Sequence, residues 1–194
     1  MDSTSDIRAS TYIVASGGAE TTCGDYKIHV FTSPGTFTVS SQGTPTNDEA
    51  QYLVVAGGGS GAAANYSNIG EGGGGAGGFR VYDGCSPSTP PLNAPAALTI
   101  TAGSYPIAVG GGAAVNFFPG ASTGVIGIQG SSSIFASIAS AGGGFGALCG
   151  CVTPPASAGA GGSGGGGGRG NANFTCGGAG NTPPVSPPQG QNGG

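Results

Sequence analysis

The residue types that most often carry catalysis or hold metals are scarce in this chain. Its 194 residues include one histidine, His29, and five cysteines. An odd number of cysteines cannot all pair within one chain, although one disulfide can form. Cys149 and Cys151 are separated by one residue, whereas zinc-binding pairs commonly have two or more between them. We therefore expect no metal site and expect the cysteines to act mainly as small hydrophobic residues.

The acidic residues form no recognisable catalytic set with that histidine. General acid–base catalysis needs a titratable group beside a nucleophile or a second carboxylate. His29 occupies the polar side of an alternating run, where we expect it to face solvent. Glu71 and Asp83 stand alone in turn-like sequence, and Asp48 adjoins Glu49. The sequence therefore predicts no catalytic residue and no enzyme activity.

One glycine-rich stretch matches a cofactor motif by chance. Gly72, Gly74 and Gly77 have the spacing of a dinucleotide-binding fingerprint. That fingerprint requires a strand before it, a helix after it and an acidic residue about 20 positions later. No helix-forming sequence follows Gly77. We therefore expect no bound cofactor.

The low charge excludes several classes of partner. Four basic and eight acidic residues give a net charge of −4. Binding to nucleic acid depends on clustered Lys and Arg side chains, which the sequence cannot supply. There is no run of about 20 apolar residues and no signal-peptide pattern, so we expect no membrane insertion. The expected partners are therefore proteins or sugars.

Short apolar runs between turns predict strands. Residues 26–30 and 35–39 alternate between apolar and polar types, as half-buried strands do, and the turn-like Ser33–Gly35 predicts that they form a hairpin. Residues 51–56 are continuously apolar, which predicts a strand buried on both faces. Further strands are predicted at 98–101 and 105–109, paired across a turn, and at 133–138.

Glycine runs interleave with these strands, since the chain contains 45 glycines and 14 prolines. Such composition is typical of flexible linkers. The alternative is a bundle of polyglycine II helices, which have three residues per turn and bond to neighbouring helices. Ordering a residue costs about 1–2 kcal/mol, so only dense packing of several runs offsets that cost. We favour the bundle because many runs are present, at 57–64, 70–79, 110–114, 142–147, 156–170 and 176–180.

These patterns divide the chain into three parts. Residues 1–16 are an N-terminal arm, and residues 17–141 form a small antiparallel β-sandwich with glycine-rich insertions at 57–79 and 110–130. Residues 142–194 form a glycine- and proline-rich region of packed polyglycine II helices. The predicted fold is all-β, with a sandwich interleaved with polyproline-II-like glycine helices.

Four aromatic residues between glycine runs are candidates for surface contact with a partner. They are Tyr66, Tyr82, Phe117 and Phe118. Aromatic side chains on a rigid scaffold offer contact area at a low entropic cost. The alternative is that these rings cap the glycine bundle or pack on the sheet.

Several short motifs recur in a fixed order along the chain, at 25–29, 31–32, 35–39, 52–59, 72–79, 103–107, 109–110 and 181–188. In this order they resemble a known family, the glycine-rich domain of bacteriophage tail-fibre and related virion proteins. The resemblance runs from about Gly24 to the C-terminus. It implies a small β-sandwich joined to packed glycine helices, used in fibres or receptor-binding tips, and it carries over no catalytic residue.

The resemblance also implies a missing strand. Members usually continue beyond the proline-rich segment to a final strand that ends in a basic residue, whereas this sequence ends at Gly194. An unfilled place at a sheet edge can accept a strand from another chain. Tyr12, Ile13 and Val14 form a strand-like segment that we predict is donated in this way. Repeated donation gives a filament when the rotation does not close.

Together these observations predict a non-enzymatic structural or adhesive protein. The leading hypothesis is a phage tail-fibre or virion fibre component that acts in assembly or host-surface attachment. The alternative is a self-assembling extracellular filament subunit joined by β-strand donation. The expected partners are other copies of the chain and a host cell-surface polysaccharide or outer-membrane protein. The expected location is the virion or the extracellular space.

Overall fold

Short β-strands make up the regular structure of the chain. The computed structural model describes residues 11–64, 70–84, 92–115, 124–149, 157–170 and 174–194, and within those residues it contains strands and no helix. In chain order the strands are β1 (Val14–Ser16), β2 (Ala19–Cys23), β3 (Tyr26–Val30), β4 (Gly35–Ser41), β5 (Glu49–Ala50), β6 (Tyr52–Val55), β7 (Phe79–Tyr82), β8 (Leu98–Thr99), β9 (Gly103–Ala108), β10 (Ser133–Phe135) and β11 (Ile138–Ser140). Every pairing between these strands is antiparallel. The predicted all-β class is therefore confirmed.

The main sheet has five strands, in the order β1, β4, β9, β10 and β11. Its core follows from the alternation along β4, which buries Phe37 and Val39 and exposes the polar residues between them. Ala15 of β1 and the fully buried Ile100 complete this first apolar cluster. The ring of Phe37 lies 5.8 Å from that of Phe135, edge to face.

Three two-stranded sheets complete the strand pairings, namely β2 with β3, β5 with β8 and β6 with β7. Tyr52 and Val54 of β6 pack with Ala94 in a second apolar cluster. Leu98 and Phe135 contact both clusters. The β6–β7 pair is therefore joined to the main sheet through shared apolar side chains.

The pairing of neighbouring strands differs from the sequence-based expectation. The predicted hairpin between 26–30 and 35–39 is wrong, because β3 pairs with β2, while β4 pairs with β1 and β9. The predicted pair of 98–101 with 105–109 is also wrong, because β8 pairs with β5, and β9 with β4 and β10. Alternation identifies a strand but carries no information about its partner. A tight turn at Gly24, whose φ is 57°, closes the β2–β3 hairpin instead.

Two single strands also depart from their predicted form. The run predicted at 133–138 is a hairpin of β10 and β11, with Ala136 at a φ of 51° in the turn. β6 was predicted to be buried on both faces, and this prediction is wrong. Tyr52 and Val54 are buried, but Leu53 is 61% exposed and Val55 is exposed beside it. The second face of this apolar strand has no cover within the described part of the chain.

Glycine-rich segments continue directly from the strands and pack side by side. We call the set of segments at 56–64, 70–78, 110–113, 124–131, 141–149, 157–170, 174–180 and 190–194 the glycine bundle. The β6–β7 ladder continues into it, because the amides at positions 56, 59 and 62 donate to the carbonyls at 78, 75 and 72. The amides at 57, 60 and 63 donate to the carbonyls at 131, 128 and 125. Each set repeats every third residue.

This three-residue period is the period that a polyglycine II helix would have, whereas a β-ladder repeats every two residues. The helical conformation itself stays a prediction. Segment 141–149 lies at the centre of the bundle, since its backbone bonds to segments 56–64, 70–78, 124–131 and 157–170. These bonds cross the boundary predicted between residues 141 and 142, as in the 2.9 Å bond from Gly143 N to Gly57 O.

Glycine is required in the bundle because of space. A Cβ at Gly142 would overlap the carbonyl oxygen of Gly130, and one at Gly146 would overlap that of Gly72. The described glycines with positive φ are Gly17, Gly18, Gly24 and Gly103, all outside the bundle. The bundle glycines therefore adopt backbone angles open to other residues, but most of them approach neighbouring backbones too closely for any side chain.

We expect Gly146→Ala to destabilise the protein by about 3 kcal/mol, because the added methyl forces segments 141–149 and 70–78 apart. Gly73→Ala is the matched control. A Cβ at Gly73 meets nothing within 4 Å, so this change should be neutral or slightly stabilising. Urea unfolding followed by tyrosine fluorescence measures both variants. Equal midpoints for the two variants would show that close approach does not hold the bundle together.

Candidate functional site

One cluster of titratable residues lies on the β2–β3 hairpin. Lys27 Nζ is 2.6 Å from Glu20 Oε2, and His29 Nδ1 donates to the Gly17 carbonyl oxygen at 2.9 Å. The His29 ring meets Phe37 edge to face, with centroids 5.0 Å apart. The His29 side chain is only 11% exposed, so the prediction that it faces solvent is wrong. The hairpin turns its His29 side toward the main sheet.

Each titratable residue of this cluster makes a contact that stabilises the hairpin. The hydrogen bond from Lys27 is the largest effect on the Glu20 carboxyl and holds its pKa below the usual value. A carboxylate that ionises so readily is a poor general acid at neutral pH. His29 is occupied by the Gly17 carbonyl and by Phe37. The geometry fixes the hairpin on the sheet rather than presenting a reactive group.

Glu71 is a second, separate carboxylate at the start of a bundle segment. Its Oε2 accepts a hydrogen bond from the Cys149 amide at 3.3 Å. Its Oε1 is buried and has no hydrogen-bond partner among the described residues. Burial raises the pKa of this carboxyl. Among the described residues, Glu71 belongs to no group of three or more His, Cys, Asp or Glu residues that could hold a metal ion.

The cysteines fall into two classes. Cys149 is buried and disulfide-bonded, and its partner lies outside the described residues. Cys23 and Cys176 are free and exposed. Within the described ranges, no three His, Cys, Asp or Glu residues lie close enough together to bind a metal. No helix long and apolar enough to cross a membrane is found in those ranges either.

The predicted contact residues have different positions. Tyr66, Phe117 and Phe118 lie outside the described residues. Tyr82 is partly buried on β7, and its ring lies 6.3 Å from that of Tyr52 in the second apolar cluster. For Tyr82, this contact favours the alternative interpretation, in which the ring packs on the sheet.

The predicted assembly strand belongs to the chain's own sheet. Val14 starts β1, which pairs with β4 at the edge of the main sheet. Ile13 packs against the first apolar cluster, whereas Tyr12 is 70% exposed. Donation of this strand to another copy stays a prediction. In such a donation, β1 of one chain would pair with β4 of another chain instead of with its own β4.

A proline-rich loop at 181–189 is anchored to both the sheet and the bundle by one buried residue, Gln189. Gln189 Oε1 accepts from the Ala141 amide at 2.8 Å, and Nε2 donates to the Pro183 carbonyl at 2.9 Å. Its backbone carbonyl accepts from Phe79 N at 2.9 Å. Gln189 is 3% exposed, so these bonds form away from solvent. The loop is therefore a fixed feature of the surface.

Sequence reasoning missed two exposed apolar faces. Tyr26, Ile28 and Val30 of β3 are 43–52% exposed, although their alternation was read as the buried side of a strand. On the other pair, Leu53 and Val55 of β6 lie beside Phe79 of β7, and all three are exposed. No signal in the sequence marked the second exposed face, because a continuously apolar strand is typical of burial on both faces.

The comparison with protein families agrees with the glycine-rich character of the bundle. A family model described as a glycine-rich domain matches residues 32–194, which is more than four fifths of the chain. The chain belongs to the glycine-rich domain family. Searches of the curated proteins and of the solved structures found no match to this glycine-rich domain.

The raised pKa of Glu71 predicts a pH-dependent stability. Its folded-state pKa lies above the unfolded value of 4.5, so stability falls as pH rises from 4.5 through the folded pKa. We expect Glu71→Gln to remove this dependence and to gain stability over the wild type at pH 7 relative to pH 4. Urea unfolding at both pH values measures the difference. Glu49→Gln, at an exposed position in β5, is the control. An equal gain at both pH values would contradict the prediction.

Loss of the Gln189 side chain should weaken the glycine-rich domain as a whole. We expect Gln189→Ala to cost about 2–3 kcal/mol, because it leaves the Ala141 amide and the Pro183 carbonyl unpaired in a buried site. Gln129→Ala removes one exposed hydrogen bond to Ala160 and should cost no more than about 0.5 kcal/mol. Thermal unfolding compares the two variants. Equal melting temperatures would show that the loop is not anchored in this way.

Proposed function

We propose that this glycine-rich domain is a non-enzymatic structural part of a fibre, in a phage tail fibre or another virion fibre, where it acts in assembly or host-surface attachment. The observation that carries the proposal is the glycine bundle. Its segments are far apart in sequence and are joined by backbone hydrogen bonds of 2.7–3.2 Å.

Such a bundle suits a mechanical role. Bonds from segment 141–149 run to four other segments, so this segment cannot be pulled away without breaking bonds on several sides. The absence of side chains between segments leaves little room for a substrate cleft there. A rigid support of this kind can hold strands and loops at a fixed distance from the rest of a fibre.

The cysteines support a location outside the cytoplasm. Disulfides persist in oxidising surroundings such as the extracellular space and the surface of virions. The disulfide at Cys149 is therefore consistent with a protein exposed on a particle or outside the cell.

Host attachment would use exposed loops on the rigid support. The anchored loop at 181–189 is the candidate among the described residues. Tyr66, Phe117 and Phe118 lie outside the described residues and stay predicted contact residues. A cell-surface polysaccharide or an outer-membrane protein is the partner that we propose. The domain has too little positive charge for nucleic acid.

A second candidate function is a self-assembling extracellular filament subunit. The observation that favours it is the position of β1, a three-residue strand at the edge of the main sheet with the exposed Tyr12 beside it. A short edge strand is readily exchanged between copies. In this case the same bundle would stiffen the filament.

Negative-stain imaging combined with elastase digestion tests the mechanical role. Elastase cleaves after small residues, which fill segment 157–170, so a flexible tail would be cut there at once. We expect that segment to resist cleavage in the wild type and in Gly73→Ala, and to be cut in Gly146→Ala. We also expect elongated particles. Globular particles with a rapidly digested wild-type segment would overturn the proposal. Loss of filaments on deletion of residues 1–16 would favour strand donation.

A further inference from the structure

The β2–β3 hairpin has two faces of opposite character. Residues opposite each other in an antiparallel pair lie on the same side. One side carries Glu20, Thr22, Lys27 and His29. The other side, which we call the Ile28 face, carries Ala19, Thr21, Cys23, Tyr26, Ile28 and Val30. The Ile28 face therefore contains no charged side chain.

The hairpin is fixed with the Ile28 face outward. Lys27 Nζ donates to the Ala15 carbonyl at 3.3 Å, and His29 donates to that of Gly17. The backbone at Gly17 has a φ of 116° and passes so close to Thr36 that a Cβ would overlap its carbonyl oxygen. The hairpin cannot roll over to bury the Ile28 face without breaking these contacts.

The outward side is a continuous apolar strip. Tyr26, Ile28 and Val30 follow one another at every second position of β3, and they are 52%, 43% and 48% exposed. Single exposed apolar residues are common, but a contiguous strip is typical of an interaction surface. A hairpin of two strands also gains stability when its exposed apolar side chains are packed against another surface.

Two features of the strip favour a second copy of this chain as its cover. A symmetric contact places each surface against itself, so it requires a surface without repulsion between like charges, and the Ile28 face has no charge. Cys23 on this face is exposed and free, whereas Cys149 of the same chain is disulfide-bonded. An exposed unpaired thiol in a disulfide-containing chain indicates either pairing between chains or a free reactive thiol, and the position of Cys23 on an uncharged apolar face favours pairing between chains.

We propose that the Ile28 face is a self-association surface, on which a second copy of the chain packs its own Ile28 face. This inference rests on the self-assembly included in the proposed function, but it uses a different surface from strand donation by residues 12–14. Strands of five residues span about 16 Å, so the face is smaller than a standard stable interface. We therefore expect a concentration-dependent dimer.

Crosslinking through Cys23 tests the contact without disturbing the apolar residues. Because the strip is short, the two Cys23 thiols lie within reach of a flexible bis-maleimide in either orientation of the pair. We expect covalent dimers in the wild type and in Cys176→Ser, and none in Cys23→Ser. Dimers that persist in Cys23→Ser, or that form equally well at high dilution, would overturn the proposal.

A second experiment disrupts the apolar strip by mutation. We expect Ile28→Lys to reduce the crosslinked fraction about tenfold or more and to move the sedimentation profile toward monomer, because a charge replaces a packed apolar side chain. Leu53→Lys, on the exposed face of β6, should leave both unchanged. Far-UV circular dichroism checks that each variant is folded. A monomeric wild type at high concentration, or dissociation by Leu53→Lys alone, would overturn the proposal.

These results separate the inference from the proposed function. Elongated, elastase-resistant particles that give no Cys23 crosslink would contradict the Ile28 face as a contact and leave the fibre role intact. Crosslinked dimers with a rapidly digested bundle would support the contact and contradict the mechanical role. Deletion of residues 1–13 removes Tyr12 and Ile13 but keeps Ala15 and its hydrogen bond with Lys27, so it should leave Cys23 crosslinking unchanged.

Discussion

Close contact between backbones without side chains is the constraint on which the bundle depends. A Cβ at Gly142, Gly144 or Gly146 would overlap a carbonyl oxygen of a neighbouring segment. Only glycine allows this separation, and only this separation allows segment 141–149 to hydrogen-bond on several sides at once. The hydrogen bonds offset the entropy lost when glycine is ordered. Packing and hydrogen bonding therefore depend on the same atoms.

The sheet and the bundle form one continuous network. β6 and β7 pair as an ordinary antiparallel ladder up to Val55 and Phe79, and the next bond, from Ala56 to Gly78, begins the three-residue repeat. The same two segments change period where their side chains disappear. Gln189 then ties the loop at 181–189, between two bundle segments, back to the start of β7. A load applied to the strands is thereby passed to the glycine segments.

The surfaces of the protein were only partly predictable. The alternation at 26–30 identified a strand, but the face turned inward is the one with Lys27 and His29, because Gly17 and Phe37 provide contacts for the histidine ring. The apolar residues of β3 are consequently left on the surface. Tyr82 shows the opposite case. The sequence placed it in a loop as a surface residue, but its ring packs against Tyr52. The alternation of residue types within a strand does not show which face of that strand will pack against a neighbouring element.

The sequence by itself determined the all-β class, the strand at 35–39 and the family, because alternation and the order of the glycine motifs are local properties of the chain. Strand partners were decided only by the tertiary structure. β3 and β4 are neighbours in sequence but join different sheets, since a two-residue turn at Gly24 closes β2 onto β3 first. The tertiary structure also decided which glycines cannot be replaced. Gly73 and Gly146 look alike in the sequence, and only the position of the neighbouring carbonyl oxygen distinguishes them.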